Sequence, residues 1–183
     1  MRKLFLMPLL MVFLVPFAQA NSALPALPQG EIFKSKHSVT ISGNKINLDA
    51  EAGTVQLRDE NDKPIALMGF THYKKVGSKE NRPVVFAFNG GPLQSSFWLH
   101  IGVLGPKRVE LNDPTYTKPA PYNIINNEYS ILDKADLVLI DPVGTGFSKP
   151  IGESKWEDFW GVDQDIRSVG LFIEQFLARE GKF

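Results

Sequence analysis

Pro83-Val84-Val85-Phe86-Ala87-Phe88 is a continuous apolar run, followed at once by Asn89-Gly90-Gly91-Pro92. An apolar run with no alternation suits a strand buried on both faces, as in a parallel sheet. A second such run, Ala135-Asp136-Leu137-Val138-Leu139-Ile140, ends at Asp141-Pro142. The connection between the two runs is long, and that favours parallel pairing over a hairpin. Within this crossover Phe97 to Leu104 suits a short helix, and Asn112 to Asn127 reads as a long Pro- and Asn-bearing loop.

Towards the N-terminus the pattern becomes that of antiparallel hairpins. Val39-Thr40-Ile41 and Lys45-Ile46-Asn47-Leu48 flank Gly43-Asn44, and Thr54 to Arg58 is joined to Ile65 to Tyr73 by the turn cluster Asp59 to Asp62. Towards the C-terminus, Val162 to Arg179 carries Ile166, Val169, Ile173, Phe176 and Leu177 at helical spacing, with Phe172 beside them. Asp163 and Asp165 near its start and Gly181 past its end punctuate it as an amphipathic helix. The fold class that follows is α/β: N-terminal antiparallel hairpins, then the start of a parallel sheet with flanking helices.

The chain opens with Arg2 and Lys3, an apolar stretch from Leu4 to Phe17, and Ala18-Gln19-Ala20. These are the parts of a secretory signal peptide cleaved after Ala20. The apolar stretch falls short of the roughly 20 residues of a membrane span and contains Pro8 and Pro16. Residues 21–37 read as a linker or arm, and 38–183 as the folded portion. A secreted or periplasmic location, with no stable membrane association after signal cleavage, is the expectation.

Twenty basic and 20 acidic residues cancel, so the chain has no electrostatic footprint for nucleic acid or an anionic membrane. The absence of cysteine excludes disulfides, thiolate catalysis and cysteine-ligated zinc. The three histidines, His37, His72 and His100, show no metal-ligand spacing, so no metal or cofactor is expected.

Asn89-Gly90-Gly91-Pro92 stands at the end of the first buried run, where α/β sheets place their binding crevice. By spacing alone it is either an Asn-Gly hairpin turn or a loop whose backbone amides point into a cleft. Asp141-Pro142-Val143-Gly144-Thr145-Gly146 lacks the third glycine of a dinucleotide loop, with Lys149 in its place, and reads as a tight turn shaping a cleft floor. Gly152-Glu153-Ser154-Lys155-Trp156 has neither the second glycine nor the preceding strand of a nucleophile elbow and reads as a loop. His100 reads as a packed or hydrogen-bonded helix residue. Trp156, Phe159 and Trp160 read as packing residues.

Phe86 to Pro92, Ser95-Ser96, Trp98-Leu99-His100, Gly105-Pro106, Asn126-Asn127, Leu137 to Ser148 and Trp160 to Asp163 follow one another in the order seen in serine carboxypeptidase-like peptidases. The chain resembles the bacterial members of that family, which have the α/β-hydrolase fold, over about Arg82 to Phe183. The resemblance implies release of C-terminal residues from peptides through a serine acyl-enzyme, with a free C-terminal carboxylate on the substrate. It implies that Asn89, with Gly90 beside it, binds that carboxylate, and that the Gly91 backbone amide helps hold the tetrahedral oxyanion.

The sequence departs from the family pattern in two ways. Where the family reads Asn-Gly-Gly-Pro-Gly and then a small residue or cysteine, this chain has Leu93 and Gln94. If that glycine takes a positive φ, a leucine costs on the order of 1 kcal/mol or more. The second departure is that the 183 residues contain no Gly-x-Ser-x-Gly. The expectation is an N-terminal portion cut off before its catalytic Ser, Asp and His and inactive alone. A non-catalytic exported carboxylate-binding module, a decayed gene product and an ester or lactone hydrolase relative stand as alternatives.

Overall fold

The computed structural model describes residues 26–79, 81–90, 94–111 and 120–182. The signal peptide, Gly91 and Leu93 therefore lie outside the described residues. Three long antiparallel strands come first: β1 (Ile32–Ile41), β2 (Asn44–Arg58) and β3 (Pro64–Lys75). β4 (Val84–Phe88) precedes a short helix α1 (Phe97–Leu99), which continues as one π-helical turn over His100–Leu104. β5 (Lys107–Val109) and β6 (Ile124–Asn126) make a separate small ribbon. β7 (Asp136–Asp141), β8 (Lys149–Pro150) and the long helix α2 (Val162–Glu180) follow, with single 3-10 turns at Ile131–Asp133 and Trp156–Phe159.

The main sheet has the order β1-β2-β3-β7-β4, with β8 paired to β3. β7 runs antiparallel to β3 and parallel to β4, so hairpins lead into the beginning of a parallel sheet. β7 explains why the sheet is buried on both faces at its centre. Its side chains alternate, and Leu137 and Leu139 join Val39, Ile41, Leu48 and Leu132 on one face. Val138 and Ile140 join Leu57, Met68, Phe70, Phe172 and Phe176 on the other. α2 covers the second face, where Phe172 is fully buried and packs on Phe70 at a ring separation of 5.8 Å.

Several details depart from the sequence expectations. The turn between β1 and β2 is Ser42-Gly43, both at positive φ (49° and 77°), not Gly43-Asn44. That is the two-residue geometry that matches strand twist, and glycine suits its second position. The arm expected over 21–37 is too long: Ile32 to His37 belong to β1 and pair with Gly53 to Leu48. They escape sequence reading because this edge stretch is largely exposed and carries no apolar alternation. The pieces at Lys45–Leu48 and Thr54–Arg58 are one strand through Gly53, which faces the backbone of Glu31 so closely that a Cβ would meet its carbonyl oxygen.

β4 is not buried on both faces. Val85 and Phe88 are 36% and 48% exposed, because β4 is the edge of the sheet among the described residues. The loop expected over Asn112 to Asn127 contains β6, whose backbone pairs with β5. α2 ends one residue later than Arg179, capped by Gly181 in the left-handed region. Its buried face is Ser168, Val169, Phe172 and Phe176, while Ile166 is 67% exposed.

Candidate functional site

Phe88 and Ile140 are register partners in the parallel pair, so the chain leaves β4 and β7 side by side at their carboxyl ends. Ligand crevices of α/β sheets form there. A cleft of about 880 Å³ opens at this edge. Asn89, Gly90 and Gln94 line it from the β4 side, and Pro142, Val143 and Thr145 from the β7 side. The N-terminal half of α2 supplies a third wall that includes Val162 and Ile166. The hairpin reading of Asn89-Gly90 is thereby removed, since β4 pairs in parallel with β7 and is followed by α1.

Asn89 is half-buried, and its Nδ2 donates to Gln94 Oε1 at 3.0 Å. Gly90 is exposed, and none of the described residues stands within 4 Å of where its Cβ would be. Across the cleft, the turn after β7 is held by Thr145 Oγ1 donating to Pro142 O at 2.9 Å. Ser148 Oγ donates to Asp141 O at 2.6 Å and accepts from Gly69 N at 2.7 Å. Gly146 has φ 51°, and a Cβ there would fall 2.1 Å from Asp141 Oδ2. The Gly-rich stretch is thus a structural turn forming part of the cleft wall. Behind it, Asn127 Nδ2 donates to Val103 O and Gly105 O, at 2.8 and 2.9 Å, fixing the end of the π-helical turn.

Among the described residues that line the cleft, Asp165 is the single charged one. Gly161 and Val162 bring the start of α2 to the same wall, with its partial positive charge.

The serine carboxypeptidase family model matches residues 42–183. The chain belongs to the serine carboxypeptidase family. Among curated proteins none matches it. Among solved structures it is similar to the crystal structure of Kex1(delta)p, a prohormone-processing carboxypeptidase from Saccharomyces cerevisiae. The identity is 26% and the TM-score 0.48, over 72% of this chain and 28% of that one. This carboxypeptidase-family chain thus spans little more than a quarter of the length of that relative.

None of the three histidines of the carboxypeptidase-family chain lines the cleft. His100 Nε2 is 2.7 Å from Tyr73 Oη, the hydrogen-bonded role expected for it. Burial lowers the His100 pKa, opposed in part by Asp141, and raises that of Tyr73 to about 12. His37 is exposed beside Ser35. Ser154 follows the two-residue β8 in a loop and leads into a 3-10 turn at Trp156–Phe159, unlike a nucleophile elbow. Of the three aromatics read as packing residues, Phe159 is buried, whereas Trp156 and Trp160 are exposed and Trp160 lines the cleft.

One cluster has no sequence signal: Glu51, His72 and Glu180, from β2, β3 and α2, place ligand-type atoms within 4.8 Å of one another. Arg179 Nη2 bridges the two carboxylates at 2.9 and 3.1 Å, and Lys34 lies 2.9 Å from Glu51. The negative charge is already matched by side chains, so the arrangement is an ion-pair network. Burial pushes the Glu51 pKa up, but the Lys34 hydrogen bond and the Arg179 charge outweigh it, and the net shift is down. Burial lowers the His72 pKa against the opposing pull of Glu180, Glu51 and Asp136.

Proposed function

We propose that this chain provides the substrate-carboxylate side of a serine-type carboxypeptidase site. The free C-terminal carboxylate of a peptide is held by Asn89 Nδ2 with Gly90 beside it, and the Gly91 backbone amide is one oxyanion donor. The supporting observation is that Asn89-Gly90 and Pro142 to Thr145, about 50 residues apart in sequence, line one cleft at the ends of two parallel strands. Positioning and oxyanion stabilisation are contributions that backbone amides and a fixed side-chain amide make without titrating.

In an acyl-enzyme mechanism a serine hydroxyl adds to the terminal peptide carbonyl, a histidine moves the proton to the leaving amine, and water releases the acyl group. The 183 residues contain no Gly-x-Ser-x-Gly. The reading therefore assigns to this chain, taken by itself, binding without bond cleavage. Export by the Arg2 to Ala20 leader would put the site outside the cytoplasm, where peptide C-termini are its substrates.

The test is to incubate the purified chain with an N-blocked dipeptide free acid and a serine-directed phosphonate in separate reactions. Binding of the dipeptide with no release of amino acid, and no phosphonate labelling, is the expected result. Labelling that Ser154→Ala abolishes would overturn the assignment.

A further inference from the structure

We infer that Gln94 is a second side-chain donor for the peptide carboxylate, acting with Asn89 as an amide pair. The inference rests on the carboxylate-site reading above and adds a residue at which this chain departs from its family's pattern.

Asn89 and Gln94 both end in primary amides. Each has an oxygen that accepts and a nitrogen carrying two hydrogens. Asn89 Nδ2 donates one hydrogen to Gln94 Oε1 at 3.0 Å. That bond uses the Gln94 oxygen, which a carboxylate would repel, and among the described residues nothing else takes the Gln94 Nε2 hydrogens or the second Asn89 Nδ2 hydrogen. Both residues line the same cleft. A carboxylate has two oxygens and only accepts, so it matches a pair of adjacent N–H groups.

The charge distribution favours such a pair. Asp165 is the single charged residue among the described lining residues, so no lysine or arginine among them offsets the desolvation of a bound carboxylate, and the start of α2 contributes only a partial positive charge. One neutral donor is a weak substitute for an arginine, and two donors with hydrogen bonds to a charged acceptor are stronger. The bond between Asn89 and Gln94 also holds the two donors in a fixed relation before the ligand arrives, which reduces the ordering cost of binding. Gln94 is exposed, so replacing it removes a donor without disturbing the core.

The experiment measures affinity for an N-blocked dipeptide free acid and for its C-terminal amide, on the 183-residue chain and on Gln94→Ala, Gln94→Glu and Asn89→Ala. Calorimetry provides the constants, and thermal unfolding checks that each variant folds as the parent does. Gln94→Ala is expected to weaken the free acid about tenfold, the loss of one hydrogen bond to a charged acceptor. Its effect on the amide should be smaller, a difference that a purely structural role would not produce. Gln94→Glu should weaken the free acid further by charge repulsion, most at low salt. Unchanged or tighter binding of the free acid by Gln94→Ala, with Asn89→Ala still abolishing it, would overturn this inference and leave the Asn89 site standing. No binding by the unaltered chain would remove both.

Discussion

The Asp141 carboxylate ties the two cleft walls together: its Oδ1 accepts from both the backbone nitrogen and the hydroxyl of Ser96, at 2.8 Å each. Asp141 ends β7, and Ser96 precedes α1, so one carboxylate fixes the entry to the helix that follows Asn89-Gly90. Its other oxygen faces Gly146, where a side chain would collide with it. Hydrogen bonds to a charged group contribute about 1.5 to 3 kcal/mol each, and removing the shared acceptor leaves two donors without it. Asp141→Ala is therefore expected to destabilise the chain by roughly 2 to 4 kcal/mol. Ser96→Ala, which keeps the backbone donor, should cost about half as much. Urea unfolding of the two variants checks the order, and equal effects would contradict it.

Arg82 and Asp136 make the buried ion pair of the sheet. Arg82 Nε lies 2.9 Å from Asp136 Oδ1, with side chains only 11% and 1% exposed. Arg82 Nη2 also donates to Leu132 O and Ala135 O, at 2.6 and 3.1 Å, and Lys75 N donates to the same carboxylate. Asp136 Oδ2 has no hydrogen-bond partner among the described residues, and the Lys182 ammonium stands 3.6 Å away. Removing one member of such a pair strands the other, so Arg82→Met is expected to cost about 3 to 5 kcal/mol. Pairing it with Asp136→Leu should recover part of that loss in a double-mutant cycle. No recovery would mean that Arg82 acts through the carbonyls alone.

The central strand was legible in the sequence because Leu137 to Ile140 feed both cores, so no residue of the run needed to be polar. α2 was legible through its period and its terminal Asp163, Asp165 and Gly181. What escaped reading has physical causes. Ile32 to His37 join the sheet through backbone pairing, and from Phe33 on their side chains are exposed. Val85 and Phe88 look like buried strand residues, but burial depends on what lies beyond β4, which the run itself does not encode. The Asp141 to Ser96 and Asn89 to Gln94 bonds involve residue types common in loops, and the first of them joins residues 45 apart that the parallel register of β4 and β7 brings together. The Glu51, His72 and Glu180 network spans three elements with no spacing rule.

His72 and His100 both have pKa values lowered by burial, which sets the sign of their pH effect. Each is neutral in the folded chain at a pH where the unfolded chain begins to take up a proton. Stability from this source is complete above the ordinary histidine value of about 6.5 and is lost as the pH falls from there towards the lowered folded value. Around His72 the Glu51, Glu180 and Asp136 carboxylates favour protonation and Arg179 opposes it, but burial dominates. The melting temperature should fall as the pH is lowered through this range, and His72→Gln should flatten part of the fall. An unaltered slope in that variant would assign the effect to His100.

The central claim is that a peptide's C-terminal carboxylate sits against the Asn89 side-chain amide, and the most direct measurement is the Asn89 Nδ2 resonance pair in a ¹H–¹⁵N correlation spectrum. Its assignment comes from the peaks lost in Asn89→Ala. Titration with an N-blocked dipeptide free acid is expected to move these resonances downfield, as a hydrogen bond to a charged acceptor forms, while the C-terminal amide of the same dipeptide moves them far less. Saturation by the free acid with the Asn89 resonances unmoved, or equal shifts from acid and amide, would contradict the account.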